Sequence, residues 1–366
     1  MARRIVLFGA SGYTGRLVAE ALVRAKVRPV LAGRSHQNLA ALGVKLGKGL
    51  ETVVADVAQP DSLLELIRPD DVFISTVGPF MRYGRPAVEA AIYKRATYLD
   101  SCGEPPFIRS VFEELSPIAE QAGVALLPAF AYEYVAGNVA ASVALEGLHD
   151  TATRVDVGYF LRGSYRGATS NGTRASVGGV ALVPHFAWRE GQLQTARAGD
   201  RTRSFLIDGT QRYGLAIAGA EHITLPRLMP SLREVGVYIG GPRGRRAARL
   251  TSTALAAAAK IPGAQSAAGW VTRLPSGTAG PDPERRHRTG ADIVATAYAA
   301  DGRELRTVRL SGGNPYTFTG EIIAWAAIQL SHTDIDQRGA VGPVEAFGLG
   351  PLRDACAAAG LPVVES

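Results

Sequence analysis

The run Gly9-Ala10-Ser11-Gly12-Tyr13-Thr14-Gly15 stands between an apolar segment, Ile5–Phe8, and a helix-like stretch at 13–25. A strand feeding a glycine-rich turn that opens a helix makes a phosphate cradle, because free N–H groups and the positive end of the helix dipole meet an anion there. The three glycines give a tight turn, close backbone approach to a pyrophosphate and close packing of helix on strand. The spacing is G-x-x-G-x-x-G rather than G-x-G-x-x-G, and its place in the first βα turn is the context a dinucleotide site requires. Gly9, Ser11, Gly12, Tyr13, Thr14 and Gly15 are therefore expected to bind a cofactor. An NAD site usually has an acid about 20 residues further on, on the ribose 2′-hydroxyl. Here the chain has Leu31-Ala32-Gly33-Arg34-Ser35 instead. Arg34 and Ser35 suit a 2′-phosphate, which an acid would repel, so NADP(H) is the expected cofactor. Asp56 follows the third strand and suits the adenine amino group or a helix cap. Thr76, Val77, Gly78 and Pro79 end the fourth strand and let backbone pass close to the nicotinamide ribose.

Hydride transfer needs the acceptor carbon held against the nicotinamide and a proton donor for the other atom. Asp100 and Glu104 leave the fifth strand at the expected carboxyl edge. Asp100 or Glu104 could anchor the carboxamide or ribose or organise a proton relay, Asp100 being the catalytic and Glu104 the substrate-contact candidate, with a capping network for the next helix as the plain alternative. Tyr83 and Tyr132 are candidate proton donors, since a phenol of lowered pKa beside the nicotinamide can protonate a reduced acceptor. Glu133, Asn138, Thr173 and Arg174 are candidate substrate contacts, the last two at a helix start that could face a carbonyl or carboxylate. Cys102 has no evident base and reads as a small buried residue. The six histidines lack H-x-x-x-H or H-E-x-x-H spacing, so no metal is expected. The segment Thr173–Gly178 lacks the first glycine of a nucleophile elbow.

Elements of two kinds must position these groups. Over the first 130 residues, apolar runs at Ile5–Phe8, Pro29–Ala32, Thr52–Ala55, Val72–Thr76, Tyr98–Leu99 and Val124–Leu127 alternate with helical patterns near 13–25, 36–42, 60–68, 83–95 and 108–122. That alternation predicts an α/β domain with a doubly wound parallel sheet, a Rossmann domain over 1–135. Beyond 150, strand patterns at Arg154–Leu161, Arg203–Ile207, Val235–Ile239, Ile293–Ala297 and Glu304–Leu310 follow one another with fewer helices, near 136–148, 173–182, 245–259 and 318–331. They predict an α+β domain over 136–315 on a mostly antiparallel sheet, serving substrate binding or dimerisation. The Pro/Gly/charge-rich stretch Leu274–Arg288 reads as a surface loop. Residues 316–366 supply a helix and tail expected to pack back on the first domain.

With 366 residues, 46% apolar and 20% charged, the chain can bury two cores. No apolar stretch is long enough for a membrane span, and two distant cysteines indicate neither a disulfide framework nor a zinc ribbon. A cytoplasmic protein is expected. The net charge of +7, from 40 basic and 33 acidic residues, suits a phosphorylated cofactor. The basic cluster Arg243, Arg245, Arg246 and Arg249 has no interleaved aromatics, so nucleic acid is not expected. The alanine-rich segment Ala247–Ala259 reads first as a core helix, with a greasy pocket wall or peripheral membrane contact as alternatives. A homodimer is left open.

GASGYTG, LAGRS, TVGPFMRYGRPAVEAA and TYLDSCGE together resemble the saccharopine dehydrogenase-like oxidoreductases, with the actinobacterial trans-acting enoyl reductases as the branch most alike. Ser170-Asn171-Gly172-Thr173 with Ser176, Tyr316–Trp325 and Gly342–Gly348 extend the likeness thinly along the chain. The resemblance implies a Rossmann domain, an α+β second domain and NADPH-linked reduction of a C=C or C=N bond in a small or acyl substrate. Phe130-Ala131-Tyr132-Glu133-Tyr134 departs from the family's Gly-Phe/Tyr-Asp pattern, which weakens any transferred role for that loop. The alternative is a non-catalytic NADP-binding sensor or scaffold.

Overall fold

The computed structural model describes residues 2–47, 49–163, 185–241, 244–258 and 280–364. The first half alternates β1 (Ile5–Phe8), α1 (Tyr13–Arg24), β2 (Val30–Gly33), α2 (His36–Leu46), β3 (Thr52–Val54), α3 (Pro60–Leu66), β4 (Val72–Ser75), α4 (Phe80–Lys94) and β5 (Thr97–Asp100). The expected helix near 108–122 is instead α5 (Pro105–Ser110), a π-helical turn at Val111–Leu115 and α6 (Ser116–Ala122). β6 (Ala125–Leu127) and α7 (Tyr132–Leu145) complete the half. The strands lie parallel in the order β6-β5-β4-β1-β2-β3. This is a Rossmann arrangement, with its switch point between β1 and β4. β1, β2, β4 and β5 are buried along their whole length because helices cover both faces of the sheet. Alternate side chains divide between two cores: Leu7, Ile74 and Leu99 pack with Val18 and Leu22 of α1, whereas Val6, Phe8, Phe73 and Tyr98 pack with Leu63, Val88 and Ile108.

The second sheet holds β7 (Arg154–Arg162), β8 (His185–Arg189), β9 (Gln192–Ala196), β10 (Thr202–Ile207), β11 (Thr210–Ala216), β12 (Glu234–Gly240), β13 (Gly290–Tyr298) and β14 (Glu304–Gly312). Its main path is β10-β11-β12-β7-β13-β14, and β8 joins β12 as the start of a hairpin with β9. The pairings are antiparallel except β12 with β7, which is parallel. Both sheets gain a short late strand: β15 (Gly339–Ala340) extends the first beside β6, and β16 (Val363–Val364) pairs with β14.

Two helices join the domains. α7 starts at the edge of the first sheet, and its Val135, Ala136, Val139 and Ala140 share a core with Val155, Val157, Ile293 and Ala295 of the second. The helix Pro315–His332 returns to the first domain, where Gly320 lies against Leu17 of α1. The segment expected to be a surface loop is also partly docked. Pro281 is buried, Gly280 lies against the Tyr13 ring, and Pro283–His287 is a short helix.

Candidate functional site

The glycine turn has the shape a dinucleotide needs. Gly9 has φ +84°, and a Cβ there would come within 2.6 Å of Thr76 Oγ1 and 2.9 Å of the Val77 side chain. A side chain is thus excluded both by backbone conformation and by space. A Cβ on Gly15 would press into the Gly9 carbonyl and lie 2.9 Å from Ala10 Cα, so α1 rests directly on the turn. Gly12 is the N-cap of α1, offers no side-chain cap, and donates its N–H to Gly9 O at 2.9 Å. The first N–H groups of α1 have no partner within the helix, and they point from the switch point toward the crevice where an anion would sit. The residues present fit a pyrophosphate.

Ser11 stands beside Gly33 at the end of β2. Arg34 follows, exposed, and Ser35 is the N-cap of α2, accepting the Asn38 N–H at 3.2 Å. Asp56 Oδ1 accepts the Ala58 N–H at 3.0 Å, a local turn ahead of α3, whose N-cap is Gln59, so the expected helix-cap role is not the one observed. The Thr76 hydroxyl donates to Phe8 O and Gly9 O at 3.1 and 3.2 Å, so it locks the glycine turn to the end of β4. Val77, Gly78 and Pro79 line the same edge, with a cis bond between Gly78 and Pro79. Tyr13 turns toward the second domain. Its hydroxyl donates to Pro281 O at 2.5 Å and accepts from Arg286 at 3.1 Å, and its ring meets Tyr316 edge-on.

The residues singled out for chemistry divide by their partners. Asp100 is fully buried; its Oδ1 accepts the N–H groups of Cys102 at 2.8 Å and Ala129 at 2.7 Å. Burial raises its pKa to about 6, against the lowering pull of those two backbone bonds. Glu104 accepts the Phe80 and Met81 N–H groups at 2.8 and 3.0 Å and thereby caps α4 from across the edge. Asn138 donates to Tyr134 O at 2.7 Å and accepts from Thr224 at 2.7 Å. Tyr83 is half-buried on the first turn of α4 with the Arg82 guanidinium 4.9 Å above its ring. The Tyr132 ring is buried between Tyr159 and Phe318. Cys102 is buried, and its thiol is pushed well up by burial. Thr173 and Arg174 lie outside the described residues.

Glu133 differs from these. It is half-buried at a corner where α7 begins with non-helical backbone, and its carboxylate lies beside Gly103, in the turn after β5. Burial raises its pKa. Behind it stands a group the sequence reading missed. Glu221, on the helix Glu221–Leu228, is fully buried and accepts a hydrogen bond from the Tyr159 hydroxyl. Burial foremost, with the Glu133 charge adding to it, raises the Glu221 pKa to about 7. Glu221 sits in no motif; only an acid followed by His222 and an apolar stretch marked it. Among the described residues, no group of three or more His, Cys, Asp or Glu side chains could hold a metal.

A Rossmann sheet with a glycine-rich turn at its switch point, joined to a second domain on a mixed sheet, defines the class of two-domain Rossmann-fold proteins. Comparison with known proteins agrees. No family model matches the chain. It is 35% identical over 140 residues to a trans-acting enoyl reductase of Mycobacterium ulcerans, covering 37% of this chain and 34% of that protein. It is 28% identical over 169 residues to the human saccharopine dehydrogenase-like oxidoreductase, covering 42% and 39%. The matches span less than half the length of these curated relatives. A saccharopine dehydrogenase (L-Glu forming) of Saccharomyces cerevisiae shares the fold at TM-score 0.63 and 12% identity, over 99% of this chain and 100% of that one. A homospermidine synthase of Legionella pneumophila, solved with NAD, does so at TM-score 0.62 and 12% identity, over 100% and 92%. The resemblance read from the motifs is thus matched by relatives that bear those names, and the expected fold class is the observed one.

Proposed function

We propose that the protein is an NADP(H)-dependent oxidoreductase that reduces an activated C=C or C=N bond of a small or acyl substrate in the cytoplasm. The observation that carries this reading is the uncapped first turn of α1 at the switch point, closed from behind by Gly9 and Thr76. In this reading the N–H groups of that turn hold the pyrophosphate, Arg34 pairs with the 2′-phosphate, and Val77–Pro79 pass beneath the nicotinamide ribose. The bound cofactor supplies hydride to the acceptor carbon. The chain supplies position and charge. Glu104 and Asp100 fix the turn after β5, and the corner at Glu133 lies beside that turn, where a substrate lies in this reading. The names of the relatives support reduction chemistry. Among the described residues no helix is long and apolar enough to cross a membrane, although one relative, 31% identical over 163 residues, is a lipid droplet localized protein of Caenorhabditis elegans.

Fluorescence titration of the purified protein with NADPH and NADH side by side tests the cofactor, followed by loss of nicotinamide absorbance with enoyl thioesters and cyclic imines. Tighter NADPH binding and consumption with one acceptor class are expected. Binding of neither dinucleotide by folded protein would overturn the reading.

A further inference from the structure

The corner Glu133-Tyr134 is held in an unusual conformation. Tyr134 has φ +82° and ψ −52°, the strained γ-turn geometry that a tyrosine adopts only when its surroundings impose it. The surroundings are on both sides of the residue: the Tyr134 N–H donates to the Tyr159 hydroxyl at 2.8 Å, and its carbonyl accepts from Asn138 at 2.7 Å. The effect is to turn the Glu133 carboxylate away from α7 toward Gly103, at the carboxyl edge of the first sheet. The same Tyr159 hydroxyl that receives Tyr134 donates to Glu221 Oε1. Glu221 Oε2 is buried with no hydrogen-bond partner. Gly137 and Gly219 leave the volume this carboxyl fills; a Cβ on either would collide with it.

We propose that Glu133 delivers the proton of the reduction and that Glu221, anchored on Tyr159, is the store from which Glu133 is recharged. The proposal rests on the reading of the protein as a nicotinamide-dependent reductase. In the balanced step, hydride from the reduced nicotinamide forms the new C–H bond and the cofactor is oxidised. The π electrons of the acceptor bond take the proton from the Glu133 carboxyl, which is left as carboxylate. Glu221 then passes its proton to Glu133, and the pair regains one proton from solvent at Glu133, its half-buried member.

The charges around the pair are few. Glu221 is faced by Tyr159 from β7 and by Glu133 and Tyr134 from the start of α7. Cys102 and Glu104 approach the corner from the turn after β5. His222, next along the helix, is turned instead to the Trp188 N–H and Ile217 O. Two carboxylates that feel each other do not both ionise readily, so near neutrality the pair retains one proton. Burial foremost raises Glu221 to about 7, with the Tyr159 bond lowering it and the Glu133 charge adding to the rise.

Two substitutions should therefore move the alkaline limb of turnover in opposite directions. E221Q removes the stored proton, so the limb falls to lower pH. Y159F removes the bond that favours the ionised form, so the limb rises. E133Q should slow turnover by about 10²–10⁴-fold, the usual contribution of a positioned acid, with NADPH affinity unchanged in fluorescence titration. Infrared spectroscopy of the cofactor-free protein gives a reading independent of turnover. A protonated-carboxyl band titrating near pH 7 is expected in the wild type, missing in E221Q and shifted upward in Y159F. Turnover of a crotonyl thioester or 1-pyrroline with an unmoved limb in both variants would overturn the proposal and leave the reductase reading standing. Lack of the band in the wild type would also overturn it. No consumption of NADPH with any acceptor would instead overturn the reductase reading, and the proton-delivery role with it.

Discussion

At the scale of single residues, the same carboxylate chemistry serves two ends, and partners tell them apart. Arg34 is exposed with an α2 N-terminus beside it, and no acid follows within the turn. Charge-assisted hydrogen bonds contribute about 1.5–3 kcal/mol, so Arg34→Asp should weaken NADPH binding by at least about tenfold while NADH binding changes far less. An unchanged NADPH/NADH ratio in paired titrations would remove the 2′-phosphate assignment. Asp100 illustrates the other end. It was legible as an important acid, but the sequence could not show that its Oδ1 is spent on the buried N–H groups of Cys102 and Ala129. Stranding a buried donor costs about 1–3 kcal/mol, so Asp100→Ala should lose about 2–5 kcal/mol of stability by urea denaturation. A variant of unchanged stability with lost turnover would instead make Asp100 a participant in the chemistry. Glu104 reads the same way: its place at the carboxyl edge after the fifth strand suggested substrate contact, and its oxygens cap α4.

At the scale of elements, legibility followed the strength of local pattern. The parallel strands are buried on both faces and so read as short apolar runs, and all six were found within a residue or two of their bounds. β8, β9 and β11 were missed because they are partly exposed and carry mixed polar sequence. Turn chemistry could have found them. Glu190-Gly191 and Asp208-Gly209 each have positive φ at both positions, the twist-compatible hairpin turn for which Asp-Gly is a strong sequence signal. β15 and β16 have two residues each, and no periodicity exists at that length. The returning helix Pro315–His332 carries apolar residues all round it, as a helix buried on several sides requires. Its contact with α1 has a specific test. A Cβ on Gly320 would lie 2.9 Å from Leu17 Cβ and 3.1 Å from its carbonyl carbon. Gly320→Val should push the helix from α1 and cost about 1–3 kcal/mol, seen as a lowered Tm. Because α1 also carries the glycine turn, NADPH affinity should fall with it. A Tm equal to the wild type would show that the two helices part freely.

For the whole molecule, one apolar core runs from α1 through Pro315–His332 and α7 into the second sheet, so ionisation at the domain junction should be felt in global stability. Asp100, Glu221 and His222 are among the buried groups whose titrations are displaced. Burial raises Asp100 to about 6 and Glu221 to about 7, above the 3.8 and 4.5 of unfolded chains, while burial lowers His222 from 6.5 to about 4. The folded form holds extra protons on the two acids, whose contribution is greatest at low pH and is lost as pH rises through 4–6 for Asp100 and 4.5–7 for Glu221. His222 acts in the opposite sense: its folded form resists protonation, so its contribution grows as pH rises through 4–6.5. Between pH 4.5 and 6 these slopes oppose each other. Above about 6.5 Glu221 carries the largest difference between the folded and unfolded chain, offset in part by His222, whose unfolded form is still half protonated at pH 6.5. Since a full proton difference is worth about 1.4 kcal/mol per pH unit, and Glu221 is on average half protonated across the interval, stability should fall by about 0.5 kcal/mol between pH 6.5 and 7.5. Urea denaturation at those two pH values measures the drop, and Glu221→Gln should abolish it while Asp100→Asn should not. A wild-type curve flat across that interval would mean that Glu221 is ionised as readily in the folded protein as in the unfolded chain. The junction would then hold no proton to give.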